Sequence, residues 1–192
     1  MDEDLSQSSS KESSARLFTA LSVPQSFLQD FHNLNRKGID ANWLTPNDLH
    51  ITIRFIGDVD VQQSHEIIKA LSSVRKQPFH IEASGLSCFH LKRQTILYCP
   101  VTSTRKLTDL TAKVNESLVK IGFEMPNKPY VPHITLARLK SSKGLDTFMK
   151  KNMKALRLQC KVTNFRLYQS SSQTDKLEGK TTRYDIVKEY PL

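Results

Sequence analysis

Asp48-Leu49-His50-Ile51-Thr52-Ile53-Arg54-Phe55 alternates apolar and polar side chains, which predicts a β-strand. Ile51, Ile53 and Phe55 fall on one face, toward a core. His50, Thr52 and Arg54 fall on the other, where a histidine and a hydroxyl are neighbours along the strand. One such pair is common on half-exposed strands and carries no chemistry by itself. The stretch Tyr130-Val131-Pro132-His133-Ile134-Thr135-Leu136-Ala137-Arg138-Leu139 repeats it 83 residues later. Again an apolar residue separates His from Thr, and another follows. Pro132 stands just ahead of the second histidine, where a strand can begin without an N–H. Two histidine–hydroxyl pairs, each on its own strand, predict two similar halves facing each other across a cleft.

Imidazole titrates near neutrality, so one copy can be neutral while the other is charged, a general base beside a general acid. A displacement by water needs both, one to take the water's proton and one to protonate the leaving group. The hydroxyls of Thr52 and Thr135 can donate to oxygens that carry charge in the transition state.

These residues resemble the 2H phosphoesterase superfamily, whose signature is two His-x-Thr/Ser motifs. Within it they are most similar to the RNA 2′,3′-cyclic phosphodiesterase branch, also described as 2′-5′ RNA ligase-like. The likeness is carried by Arg16-Leu17-Phe18-Thr19-Ala20-Leu21, Trp43 and Leu49-His50-Ile51-Thr52-Ile53-Arg54-Phe55-Ile56-Gly57. Pro132-His133-Ile134-Thr135-Leu136-Ala137-Arg138 and Leu167-Tyr168-Gln169-Ser170 complete it, so it runs from about Arg16 to the C-terminus. One departure is visible. Lys128-Pro129-Tyr130 stands where the family often has Arg-Pro-Phe, which keeps charge and ring but replaces a planar fork by a point charge.

The resemblance implies metal-independent hydrolysis of an RNA or nucleotide 2′,3′-cyclic phosphate to a 2′-phosphate, with no cofactor. His50 and His133 are then catalytic, and Thr52 and Thr135 bind phosphate. On that reading His50 is the acid toward the 3′ oxygen and His133 the base toward water, although near-symmetric motifs do not themselves separate the roles. Candidates for nucleotide contact are Arg138, Tyr130, Trp43 and Arg54. Strand parity turns Arg138, five residues from His133, to the opposite face unless the strand bulges; Arg54, four from His50, keeps its parity. Trp43 fits either core packing or stacking on a base. Two other functions share these motifs: a non-catalytic nucleotide-binding or sensing module, and a 2′-5′ RNA ligase. Intact His and Thr in both copies favour an enzyme, and hydrolysis is the default without an ATP motif.

Composition agrees with a polyanionic partner. Of a net +9 over 192 residues, residues 1–15 contribute −3 (Asp2, Glu3, Asp4 and Glu12 against Lys11), leaving a body of +12. That Ser-rich tail is expected to be disordered, with residues 16–192 forming one two-lobed domain. Apolar residues make up 38%, enough for a core but with no run long enough to span a membrane. No signal segment is evident, and Cys88, Cys99 and Cys160 are read as reduced thiols, so a cytoplasmic monomer is expected.

The remaining pattern predicts an α+β fold of two related lobes, with mainly antiparallel sheets facing across a central cleft and helices outside. Strands are expected at Arg16–Leu21, 78–86, 95–101, one or two within 156–168, and 181–188. Helices are expected from Ser22 or Pro24 to Gly38, over 60–74 and 105–121, with a short one at 145–153. Loops are expected at 88–94, 123–131 and 170–180.

Overall fold

A computed structural model describes residues 14–175 and 179–192, with side chains outside 172–182. The chain runs β1 (Ala15–Ser22), α1 (Gln25–Asn33), β2 (Asn42–Trp43), a 3-10 turn (Pro46–Asp48), β3 (His50–Val59), α2 (Val61–Leu71), β4 (Phe79–Ser84) and β5 (Ser87–His90). It continues with β6 (Thr95–Pro100), α3 (Arg105–Val119), β7 (His133–Leu139), α4 (Leu145–Asn152), β8 (Arg157–Val162), β9 (Asn164–Asp175) and β10 (Gly179–Pro191). The fold is α+β, and every strand pairing among the described residues is antiparallel.

The element order repeats. A first half, β1-α1-β3-α2-β4-β5, is followed by a second, β6-α3-β7-α4-β8-β9. The two lobes share one sheet of order β10-β9-β1-β3-β7-β6-β5, with β2 beside β7. They meet through β3 and β7, and each half lends its last strand to the other: β5 pairs with β6, and β9 with β1. The third strands, β4 and β8, form a separate two-stranded sheet.

One face of the large sheet carries the core. Leu17 and Leu21 of β1, Ile51 and Ile53 of β3, and Ile134 and Leu136 of β7 pack there against the helices and the small sheet. The helices turn apolar stripes at helical spacing inward: Phe27 and Phe31 of α1, Ile67 and Leu71 of α2, and Leu107, Leu110, Val114 and Leu118 of α3 are all at most 1% exposed. Burying each such side chain contributes roughly 1.5–3 kcal/mol. Asp60 and Gln63 close a capping box at the start of α2, and the Thr104 hydroxyl accepts from Leu107 N–H at the start of α3.

Several expected boundaries are corrected. The chain at 88–94 is not a loop throughout, because Ser87–His90 forms β5 and pairs with β6. α1 ends at Asn33, before Gly38. The polar segment 170–180 is chiefly strand: β9 runs to Asp175 and pairs with β10 from Gly179. Its Ser-rich sequence lacks the alternation that marks a half-buried strand, so the ladder there is invisible to periodicity. β1 starts at Ala15, one residue before the expected body, and the rest of the expected tail lies outside the described residues.

Candidate active site

β3 and β7 pair at a single position, Ile51 with Ile134, the central residues of the two motifs. The register brings His50 toward Thr135 and Thr52 toward His133, so each histidine faces the other motif's hydroxyl. Beyond that point the strands part. Continuing the register would set Ile53 opposite Pro132, which has no N–H for a ladder. The Tyr130 hydroxyl donates instead to the Thr52 carbonyl at 3.1 Å, tying the segment before the second motif to the strand of the first. Burial pushes the Tyr130 phenol up to about 12, so it stays a donor at neutral pH.

Both motif strands bulge at the residue after threonine. Opposite β1, Thr52 pairs with Ala20 and Arg54 with Thr19, so Ile53 is extra. Opposite β6, Thr135 pairs with Tyr98 and Ala137 with Leu97, so Leu136 is extra. A bulge resets the alternation. In β7, Leu136 and Ala137 are both fully buried, and Arg138 emerges exposed on the histidine face. The parity objection to Arg138 is thereby removed. In β3 the same shift brings Phe55 to the histidine face, at Arg138's symmetry-related position. Phe55 was expected in the core; it is 66% exposed and packs on Phe18, with ring centroids 5.8 Å apart. Arg54 is displaced from its expected parity. It lies opposite Thr19 and lines the cavity beside Thr52, its guanidinium donating to the Glu124 carbonyl at 2.6 Å.

Trp43 stands apart from the histidines. It packs between Phe31 and Phe148 at 6.1 and 5.8 Å, with the Arg36 guanidinium 4.9 Å from its ring centre. The stacking role open in the sequence has no support in this placement.

The imidazoles are held alike. His50 Nδ1 lies 2.7 Å from the Asp48 carbonyl, and His133 Nδ1 lies 2.7 Å from the Val131 carbonyl. A carbonyl only accepts, so each Nδ1 carries a proton and each Nε2 is left for the cleft. Phe18, Tyr168 and Tyr184 surround His50 at 4.9, 6.3 and 5.1 Å; Phe89 and Tyr98 flank His133 at 5.1 and 5.3 Å. Burial among these rings lowers both histidine pKa values from the ordinary 6.5. At His50 the Asp48 carbonyl and carboxylate push the other way, and a charge on His133 lowers it further. The Val131 carbonyl opposes the shift at His133. Because one charge disfavours the other, burial and mutual repulsion together penalise the doubly protonated pair.

A cavity of about 550 Å³ opens beside Thr52 and His133 where the strands part. Phe55, Phe89, Met125, Pro126, Tyr130 and Val131 contribute to its wall, with Lys128 and Arg54 as the cations. Among the described residues no group of three or more His, Cys, Asp or Glu side chains is arranged to hold a metal ion. No described helix is long and apolar enough to cross a membrane.

Sequence reasoning missed Phe55 and the aromatic walls. The consecutive apolar residues Leu136-Ala137 were a signal of the bulge, since a regular alternating strand would not bury both.

Paired His-x-Thr strands meeting at the centre of a two-lobed antiparallel sheet define the 2H phosphoesterase class. The family model described as the 2′-5′ RNA ligase superfamily matches residues 24–174, and the chain belongs to that family. The RNA 2′,3′-cyclic phosphodiesterase of Archaeoglobus fulgidus is 30% identical over 162 residues, covering 81% of this chain and 90% of that protein. The Aquifex aeolicus protein of the same name is 37% identical over 108 residues, 54% of this chain and 57% of its own length. The matches to the Aquifex aeolicus and Aeropyrum pernix proteins thus span only 57% and 65% of those curated relatives. In fold, E. coli LigT, solved in complex with 3′-AMP, superposes with a TM-score of 0.75 at 22% identity, covering 94% of this chain and 99% of LigT.

Proposed function

We propose that the protein opens 2′,3′-cyclic phosphate ends of RNA or nucleotides with water, leaving a 2′-phosphate. The carrying observation is the matched pair of imidazoles, each with Nδ1–H bound to the carbonyl two residues earlier and Nε2 left free at the meeting point of the lobes. The phosphate sits between the motifs. One Nε2 takes a proton from water, the other gives one to the departing 3′ oxygen, and the Thr52 and Thr135 hydroxyls hold the non-bridging oxygens. A singly protonated pair is the state that such a reaction consumes and regenerates.

The nucleobase lies against Phe55 in the apolar cavity, whose lining suits a planar ligand. Arg138 and Lys128 supply positive charge on either side, and Tyr130 acts through the backbone of Thr52. The basic body attracts the RNA strand. Curated relatives named for RNA 2′,3′-cyclic phosphate agree with this substrate class. We further propose a monomer working in the cytoplasm. Three unpaired cysteines, each raised in pKa by burial, fit a reducing compartment.

The test is incubation with a 2′,3′-cyclic-phosphate oligonucleotide in EDTA, followed by identification of the product isomer. A 2′-phosphate formed at the rate seen without chelator is expected. An unopened ring, a 3′-phosphate, or activity lost with EDTA and restored by one divalent ion would overturn the proposal.

A further inference from the structure

β7 leads from the second motif to a rim of unpaired cations. Its last rung sets Leu139 opposite Thr95 of β6, and Thr95 lies opposite His90 of β5. Just past that rung stand the Leu91–Gln94 turn and the segment 140–144. Lys92 and Arg93 are on the turn, Lys140 and Lys143 on the segment, and all four are exposed. The two pieces are tied together. The Thr95 and Ser142 hydroxyls lie 3.0 Å apart, and Leu91 N–H closes the turn by donating to the Gln94 carbonyl at 2.9 Å. On its other side the segment rests against the Gly38 carbonyl, so closely that a Cβ at Gly144 would collide with it.

Arg138 joins this rim to the phosphate position. It lies exposed on the histidine face, between Asn42 of β2 and Ile96 of β6. Burial raises the Tyr184 phenol and the Arg138 charge opposes it, which places that charge near a ring 5.1 Å from His50. From Thr135 to Lys140 is about 17 Å of extended chain at ~3.3 Å per residue. Among the described residues none of these five cations is in an ion pair. Asp40 and Asp146 are the acids in the flanking segments, so positive charge prevails. A second group of cations, around Arg75, is spent inward: Lys76 pairs with Asp109 at 2.9 Å, and Lys113 donates to the Arg75 carbonyl at 2.8 Å.

We infer that Lys92, Arg93, Lys140 and Lys143 form a track for the phosphates of a single-stranded RNA whose 3′ end lies between the motifs. The inference rests on the RNA substrate proposed above and adds where the rest of that strand runs. A 2′,3′-cyclic phosphate closes the 3′ end of a chain, so every further nucleotide leaves through the 5′ oxygen of the terminal ribose. The strand passes Arg138 first and then the rim, where each phosphate meets a cation that has no carboxylate of its own. Separate charges spaced along a rim bind a polyanion without reading its bases. A mononucleotide does not span the distance from motif to rim and gains nothing from the track.

The test compares three double variants that each remove two charges. Two are on the track: Lys92→Gln with Arg93→Gln, and Lys140→Gln with Lys143→Gln. The control, on α2 and α3, is Lys69→Gln with Lys106→Gln; all six side chains are exposed. The probe is a fluorescent oligouridylate ending in a 2′-phosphate, its binding followed by anisotropy while salt is raised about fourfold, which needs no turnover. Each phosphate contact on a single strand contributes ~0.7 to the slope of log affinity against log salt. Each track double should therefore flatten the slope by about 1.4, so that wild type loses roughly sevenfold more affinity than the variant over the range. The control should keep the wild-type slope, and KM for uridine 2′,3′-cyclic phosphate should stay within about twofold in all three. Wild-type slopes in the track doubles, an equal flattening in the control, or a matching rise in KM for the mononucleotide would overturn the proposal. An unopened ring in wild type beside the expected slopes would instead remove the reaction and leave the track. Unchanged circular dichroism shows that each variant is folded, so every slope reads on charge.

Discussion

Tyr130→Phe removes one oxygen from the contact that joins the two motifs where their strands part. The ring stays, as in the phenylalanine that the family often places here, so the variant isolates the hydroxyl. The Thr52 carbonyl loses its donor at 3.1 Å, and no ladder N–H replaces it opposite Pro132. Leaving such a group unsatisfied costs about 1–3 kcal/mol. At ~2–4 °C per kcal/mol for a chain of this size, Tm should fall by roughly 2–12 °C. The functional effect is separate. Thr52 and the segment leading to His133 lose their tie, so kcat should fall about tenfold, short of the ~10²-fold attached to a 1 Å misplacement. KM should stay within about twofold, since base and phosphate contacts remain. Tyr190→Phe is the control: this ring is 3% exposed and its hydroxyl donates to the Ile68 carbonyl at 3.4 Å, on α2. It should lower Tm without lowering kcat. The assay is thermal unfolding beside single-turnover ring opening. An unchanged kcat in Tyr130→Phe, or equal kcat losses in the two variants, would refute the argument that the hydroxyl spaces the motifs.

Three further outcomes are expected. The His50→Ala, His133→Ala double variant should lose less than the product of the single losses, since both act on one transition state, and Thr52→Ala and Thr135→Ala should each cost less than either histidine; strictly multiplicative losses in single-turnover kinetics would contradict this. Both histidine pKa values are lowered by burial, so the bell of kcat/KM in the free enzyme should peak below pH 6.5, and a maximum above pH 7.5 would contradict a pair titrating in this environment. Phe55→Ala should raise KM for a nucleoside 2′,3′-cyclic phosphate by on the order of tenfold, as for loss of one base–aromatic stack, while leaving an abasic ribose 2′,3′-cyclic phosphate unaffected; equal effects on both would remove the base from the Phe55 cavity.

The same histidines set a sign for stability. In the unfolded chain each binds its proton near 6.5, while the folded protein resists protonation until lower pH. The unfolded state therefore binds more protons in the window below 6.5, and stability should decline as pH falls through it.

What the sequence made legible follows from periodicity. The stripes of α1, α2 and α3, the two motif strands and the repeated order of halves all depend on spacings of two or of three and four residues, and these survive into the structure. What it hid depends on single residues that break the spacing. The bulges at Ile53 and Leu136 exchange Arg54 for Phe55 and admit Arg138, because one inserted residue inverts every later side chain in the strand. Trp43 was ambiguous because a large ring serves a core as readily as a base, and only its neighbours Phe31, Phe148 and Arg36 separate the two. The extension of β9 and β10 into the segment expected as a loop at 170–180 was hidden by its polarity, since the backbone pairs there without an alternating apolar pattern in the sequence to announce it.

The exchange of last strands between halves bears on how the molecule is made. β1 waits for β9, which begins at Asn164, and β4 waits for β8, which begins at Arg157. Most of the chain must be synthesised before the first half has its neighbours, and such distant pairings close slowly. We infer that neither half holds its structure when expressed alone, and that a cut in the Leu91–Gln94 turn leaves two fragments that fold only by finding each other. During synthesis the early strands present open edges until the C-terminal strands emerge to cover them.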